Sequence, residues 1–217
     1  QNDGVFEPVK EVFRYKRSKK YYRNPDLNAK FVYYALHFQP EASTIVCAPK
    51  YEKQLFFIDS LAKSLPADTV LYVKEHYSGL GTRPIQFYKE LQQYPNVVLI
   101  TPWADSRQLI EHSQCVATLT GTVGWEGFLL GKPVIMAGDI FYTNAPGIMH
   151  VDEIYGQYIP LMESWVKPDR EAMIKYLCEY LKSARKGNTY ISLESRHDDD
   201  NIVDVARSMM DYIKRNN

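Results

Sequence analysis

Three short segments of this chain carry residue types that can hold a phosphate and a sugar. Thr120-Gly121-Thr122-Val123-Gly124-Trp125-Glu126 follows an apolar run and opens a helical pattern. Glycines let a backbone come close to a ligand. The free amides and dipole of a helix start favour an anion, and two threonine hydroxyls add donors. Glu126 lies one turn into the helix from Thr122, on the same side, where it can accept bonds from a ribose diol. The plainer alternative is capping, with Thr120 or Thr122 closing the helix and the glycines only permitting a tight turn. No Gly-Lys-Thr/Ser follows, so this is not a Walker motif. Lys74-Glu75-His76 ends a second apolar run and enters a Gly-containing loop. A His with a Lys two residues earlier can hold a phosphate from a second side. A lone His at a strand end is otherwise an ordinary structural residue. In the third segment, His37-Phe38-Gln39-Pro40-Glu41, Pro40 keeps Gln39 extended. Gln39 and Glu41 then stand as polar groups at a strand end, although Glu41 also suits plain surface. Asp198-Asp199-Asp200 precedes a helical pattern, where the dipole favours acids. It reads as a helix start and not as a metal site.

These segments need a scaffold that brings them to one edge. Phe31–Leu36, Thr69–Lys74, Val97–Ile100, Cys115–Leu119 and Val134–Ala137 read as buried strands, rich in β-branched and aromatic residues. Between them, Tyr51–Leu65, Ile85–Gln93, Ser106–His112 and Val123–Leu130 have helical spacing. Pro66 closes the first of these, Asp105 can cap the third, and Gly131 ends the fourth. Alternation of strand and helix with short links is the mark of βαβ units. The expected fold is α/β: a doubly wound, Rossmann-like parallel sheet with C-terminal helices. After Gly138 the pattern breaks into a loop to about Lys167. Pro168 then opens a helix to about Lys186, and a last helix covers about Asp200 to Lys214. Ligands in such sheets bind outside the carboxyl ends of the strands. The informative positions are therefore His37–Glu41, Glu75–Leu80, Pro102–Asp105, Thr120–Glu126 and Gly138–Thr143. Lys74, the last residue of its strand, and Glu75, His76, Pro102, Thr120, Gly121, Thr122 and Glu126 are the candidates for a phosphate and its ribose, with Gln39, Glu41 and Tyr142 as candidates for the rest of the ligand.

Composition excludes several classes. The 217 residues hold 26 Lys+Arg against 26 Asp+Glu, a net charge of zero, which argues against a general nucleic-acid binder. At 45% hydrophobic and 24% charged the chain is globular and not disordered. Its length favours one domain, by a prior of about 150 residues each. Cys47, Cys115 and Cys178 form no CxxC pair, so neither a zinc knuckle nor a disulfide framework is indicated. Cys115, in an apolar run, reads as a buried small hydrophobe. No apolar stretch approaches a membrane span and no signal peptide is visible, so the expected location is cytoplasmic. Positive charge is unevenly placed. Lys10, Arg14, Lys16, Arg17, Lys19, Lys20 and Arg23 stand with the single acid Glu11 between Lys10 and Arg23. Residues 1–24 therefore read as a basic linker or helix ahead of a domain at 25–217. It is either solvated and packed by its aromatic side, or a surface for anionic lipid at the inner membrane or another anionic polymer. The chain starts at Gln1 and not Met, so a missing upstream part is expected.

Tyr34–Ser43 (YALHFQPEAS), Val73–His76 (VKEH) and Thr118–Tyr142 (TLTGTVGWEGFLLGKPVIMAGDIFY) resemble the capsule polysaccharide synthesis and export proteins. That family includes the bacterial β-Kdo transferases of the KpsC and KpsS type. The resemblance runs from about Phe31 to Glu153, in order and spacing. It implies one half of a GT-B glycosyltransferase, whose two Rossmann-like domains face each other across a cleft. It also implies a CMP-Kdo donor, bound mainly by the C-terminal domain, and a glycolipid or polysaccharide acceptor. Lys74 and His76 match the donor-binding Lys-x-His, with His76 toward the phosphate and catalytic. Thr120, Gly121 and Thr122 match the phosphate turn, and Glu126 the ribose contact. No cofactor or metal is implied, because His, Lys and a helix dipole stabilise the leaving phosphate. The family commonly has Pro after the His, where this chain has Tyr77. The N-terminal GT-B domain, with the catalytic base, is expected outside this chain. A CDP-glycerol phosphotransferase domain and a non-catalytic nucleotide- or sugar-binding module are the competing readings.

Overall fold

The computed structural model describes residues 7–183, 203–208 and 210. Residues up to Asp169 form one compact unit and those from Arg170 a second. The helix α1 (Glu7–Ser18) belongs to the first unit. The chain that leaves it reaches the sheet, where the Arg23 amide donates to the Leu99 carbonyl at 2.8 Å and the Arg23 carbonyl accepts from Thr101. Tyr21 and Tyr22 also pack on Tyr88, with ring centroids 6.1 and 6.0 Å away.

The sheet holds six parallel strands: β1 (Phe31–Ala35), β2 (Val70–Lys74), β3 (Val97–Ile100), β4 (Cys115–Thr118), β5 (Val134–Met136) and β6 (Ile148–His150). Their spatial order is β3-β2-β1-β4-β5-β6. Five strands are the expected ones. They are legible because a parallel sheet is covered on both faces, which demands nearly continuous apolar runs. Alternation then sorts each run between two cores. Val32 and Tyr34 join Phe57, Ile58, Leu61, Tyr88 and Leu91 on one face. Phe31 and Tyr33 join Leu109, Ile110 and Val123 on the other. Helices α3 (Gln54–Ser64) and α4 (Ile85–Leu91) thus cover one side. The opposite side carries α5 (Ser106–His112) and α6 (Thr122–Leu129).

Three elements depart from expectation. The six-residue α2 (Ala42–Cys47) falls where the sequence shows no helical spacing. The stretch expected as a loop after Gly138 holds β6 and α7 (Tyr158–Ser164). β6 has three residues at the sheet edge and none of them is fully buried, so it leaves little apolar signal. In the second unit, α8 (Arg170–Ser183) begins two residues after Pro168, and residues 203–208 are helical. Asp198–Asp200 and the rest of the expected last helix lie outside the described residues.

Candidate functional site

The strand order reverses between β1 and β4, which follow one another in space but not in sequence. Loops leaving two such strands turn to opposite faces, and a crevice opens between them at their carboxyl ends. A cleft of about 640 Å³ lies there. Lys74, Glu75, His76, Pro102, Thr120, Gly121, Thr122, Glu126 and Glu41 all line it, together with His37, Phe38 and Ser106. Nine of the assigned positions, drawn from four loops, therefore meet in one cavity.

The turn before α6 shows why these residues are needed. Gly121 is the N-cap, and no side chain caps the helix, so neither threonine does the capping. Thr118 Oγ1 instead accepts the Gly121 amide at 2.9 Å, and His37 Nε2 accepts the Thr120 amide at 3.0 Å. Those two amides are already spent. The amides of Thr122 and Val123 have no protein partner among the described residues, and the Thr120 hydroxyl is buried without one. The open amides of this turn thus lie further into the helix than the sequence suggests. A Cβ on Gly121 would sit 2.9 Å from Thr118 Oγ1 and 3.2 Å from His37 Nε2. This glycine makes room for protein atoms, not for an approaching ligand.

Lys74 ends β2 beside Ser106, and its Nζ donates to Ser106 Oγ at 2.6 Å. Burial lowers the Lys74 pKa, against the pull of the Asp105 and Glu126 carboxylates. His76 stands exposed on the loop that follows. Its Nδ1 accepts the Ser78 amide at 3.1 Å, so a neutral ring carries its proton on Nε2 and offers a donor. Tyr77, in place of the family's proline, is exposed and leans edge-on against Trp103 at 5.4 Å. Asp105 caps α5 through the Arg107 and Gln108 amides.

Three assigned residues do other work. Glu75 reaches the cleft wall, but its carboxylate is fully buried. It accepts from Arg83 Nε at 3.1 Å, from Tyr88 Oη at 2.9 Å and from the His76 amide at 2.8 Å. With all its capacity used inside the protein, it supports His76 and has no lone pair to spare for a nucleotide. Gln39 does not line the cleft. Its amide bonds the Glu52 carbonyl and its Oε1 accepts from Gln54 at 2.8 Å, so the side chain is tied into the loop ahead of α3. Tyr142 is fully buried beneath α6, and its hydroxyl donates to the Gly121 carbonyl. It braces the turn from below and does not line the cleft. Cys115 is buried in β4, and burial pushes its thiol up to about 12.

Sequence reasoning placed His37 at an informative strand end but gave it no role. It is only 6% exposed, and its backbone amide and carbonyl are both held by Gln54. Burial lowers its pKa to about 4, with the Arg83 and His76 charges adding to the effect and Gln54 opposing it. The ring is therefore neutral. Since Nε2 accepts the Thr120 amide, its proton lies on Nδ1, which has no partner among the described residues.

Comparison with known proteins agrees with this fold. The chain is similar to Thermosulfurimonas dismutans KpsC, a β-Kdo 2,7 transferase, at 18% identity over 81% of this chain and 54% of that one, with a TM-score of 0.51. It is similar to Anabaena HepE in complex with UDP-glucose at 16% identity over 77% and 55%, with a TM-score of 0.50. The wall teichoic acid polymerase TagF matches at 17% identity over 82% and 45%, with a TM-score of 0.46. The chain thus spans about half the length of the solved structures it matches. No curated protein matched. The sequence profile of the capsule polysaccharide biosynthesis proteins matches residues 20–183, which takes in every strand and every cleft residue. A switch-point cleft of this composition, within a match that spans three quarters of the chain, makes this protein a member of the capsule polysaccharide biosynthesis family.

Proposed function

We propose that the chain is the donor-nucleotide half of a GT-B glycosyltransferase that transfers Kdo from CMP-Kdo to a glycolipid or polysaccharide acceptor. The observation that carries this reading is the convergence of Lys74, His76, Thr120, Thr122 and Glu126 in one switch-point cleft, beside two free helix-start amides. Breaking the bond between sugar and phosphate leaves CMP, whose phosphate gains charge in the transition state. The Thr122 and Val123 amides, the Lys74 ammonium and His76 Nε2–H are donors suited to that charge, and they need no reorganisation to receive it. Glu126 takes the ribose hydroxyls, and Pro102 shapes the wall toward the base. Glu41, which also lines the cleft, takes the sugar. The acceptor and the base that deprotonates it belong to a second domain across the cleft.

A CDP-glycerol phosphotransferase would use the same Lys-x-His. A thermal-shift panel of CMP, CDP, UMP, UDP and GDP separates the readings. CMP is expected to stabilise by about 2.7 kcal/mol at a hundredfold excess over Kd, and GDP by less. Equal shifts from GDP and CMP would remove the cytosine assignment. A preference for CDP would favour the phosphotransferase, and one for UDP would favour a uridine-sugar donor.

The reading extends to α1. Val9, Val12 and Phe13 are exposed, Phe13 by 63%, among Lys10, Lys16, Arg17, Lys19 and Lys20. An apolar strip edged by cations suits peripheral contact with an anionic lipid surface, where a glycolipid acceptor would be found.

A further inference from the structure

We propose that His37 is the positioning residue of the anion-binding turn, and that it forms one buried strut with Arg83 and Glu75 which fixes the turn relative to His76. The inference deepens the phosphate-binding reading above and rests on it.

The strut can be followed atom by atom. His37 Nε2 accepts the Thr120 amide at 3.0 Å. The His37 carbonyl accepts from Arg83 Nη2, and Arg83 Nε donates to both Glu75 oxygens at 3.1 Å. Glu75 Oε1 in turn accepts the His76 amide at 2.8 Å. Thr120 and His76 belong to loops after two different strands, β4 and β2, with β1 between them. Among the described residues no direct hydrogen bond joins those loops. Their backbones are linked through three side chains, all buried. Gln54 holds the His37 backbone from α3, at 2.7 Å to its amide and 2.9 Å to its carbonyl.

The residue type matters. The site needs a side chain that is neutral and an acceptor toward Thr120. Thr118 Oγ1 lies 3.5 Å from the same nitrogen and already accepts the Gly121 amide. A cation at this point would face an N–H donor. By taking the Thr120 amide, His37 sets the tilt of the turn and leaves the Thr122 and Val123 amides as its open end. A bond to an apolar replacement cannot form, so the turn would lose its fixed orientation without losing α6.

The test uses the full chain. Long-range 1H–15N spectra at pH 7 should show His37 with its proton on Nδ1 and an unprotonated, hydrogen-bonded Nε2. That state should persist from pH 8 to pH 5. Calorimetric titration with CMP should give a Kd at least tenfold weaker for His37→Leu. His37→Gln, which keeps an acceptor at the same reach, should stay within about threefold of the parent. A proton on Nε2 at pH 7 overturns the proposal, as does equal CMP affinity in parent and His37→Leu. If His37→Leu fails to fold, the tautomer and the rescue by His37→Gln decide. If the parent takes up no CMP, the nucleotide reading itself falls, and the proposal falls with it.

Discussion

His76 and Glu75 are neighbours with opposite expected responses to mutation. The His76 ring is exposed and makes one bond, to the Ser78 amide. His76→Ala should therefore leave the melting temperature nearly unchanged while weakening CMP binding by about 1.5 to 3 kcal/mol, the worth of a bond to a charged group. Calorimetry on the folded variant checks this, and unchanged affinity would make His76 structural. Glu75 is buried against Arg83. Removing one member of such a pair leaves the other charged and unpaired, which costs about 3 to 5 kcal/mol. Glu75→Ala should lower stability in urea by that order and, in the protein that stays folded, weaken CMP binding by loosening the strut. His37 adds a pH dependence. Its pKa falls from 6.5 to about 4 on folding. The unfolded chain then binds more protons between those values, so stability rises with pH across that window. The contribution is intact above pH 6.5 and is lost as pH falls to 4, an effect of about 3 kcal/mol at most. Urea titrations from pH 7 to 4 should show a shallower decline in His37→Gln than in the parent.

At the scale of elements, α1 and α6 use their ends and faces differently. α6 works through its first turn, held from outside by Thr118, His37 and Tyr142. α1 presents a side. Its Glu11 backbone lies against Gly81, and a Cβ there would come within 3.0 Å of it, while Val9, Val12 and Phe13 look outward. If that side meets lipid, the chain should sediment with vesicles containing anionic phospholipid and not with neutral ones. Reversing Lys16 and Lys20 together should reduce binding sharply, since each cation near such a surface contributes about 1 kcal/mol. Phe13→Glu should do the same with CMP affinity unchanged. Retention of both variants on anionic vesicles would rule out this face as the contact.

For the whole molecule, the expected outcome follows from which residues form the cleft. Every residue that lines it comes from one Rossmann-like unit. Aligning two reactants supplies about 7 to 11 kcal/mol of a rate enhancement. That contribution needs groups on both sides of the sugar. Residues 1–217 should therefore bind nucleotide yet give no transfer to a capsule-type acceptor, and a complementing N-terminal GT-B domain should restore it. Turnover by the chain alone would show that acceptor and base are held within these residues.

The sequence by itself determined the sheet and the address of the cleft. Buried parallel strands must be apolar on both faces, so five of the six were legible as runs. Ligand chemistry collects at their carboxyl ends, so Lys74, His76, Thr120, Thr122 and Glu126 could be picked out by position. The Asp105 cap was legible for a local reason, since a cap bonds amides two and three residues away. Tertiary structure decided what each polar group does. Whether Glu75 faces a ligand or Arg83, whether Gln39 faces the cleft or Gln54, and whether Tyr142 reaches a sugar or the Gly121 carbonyl depend on which loops the strand order brings together. His37 is the clearest case. Its partner Thr120 lies 83 residues away, in the loop after a strand that neighbours β1 only because the sheet is wound outward in both directions from that pair. No spacing in the sequence records such a bond, because hydrogen bonding is set by distance in space and the fold alone sets that distance.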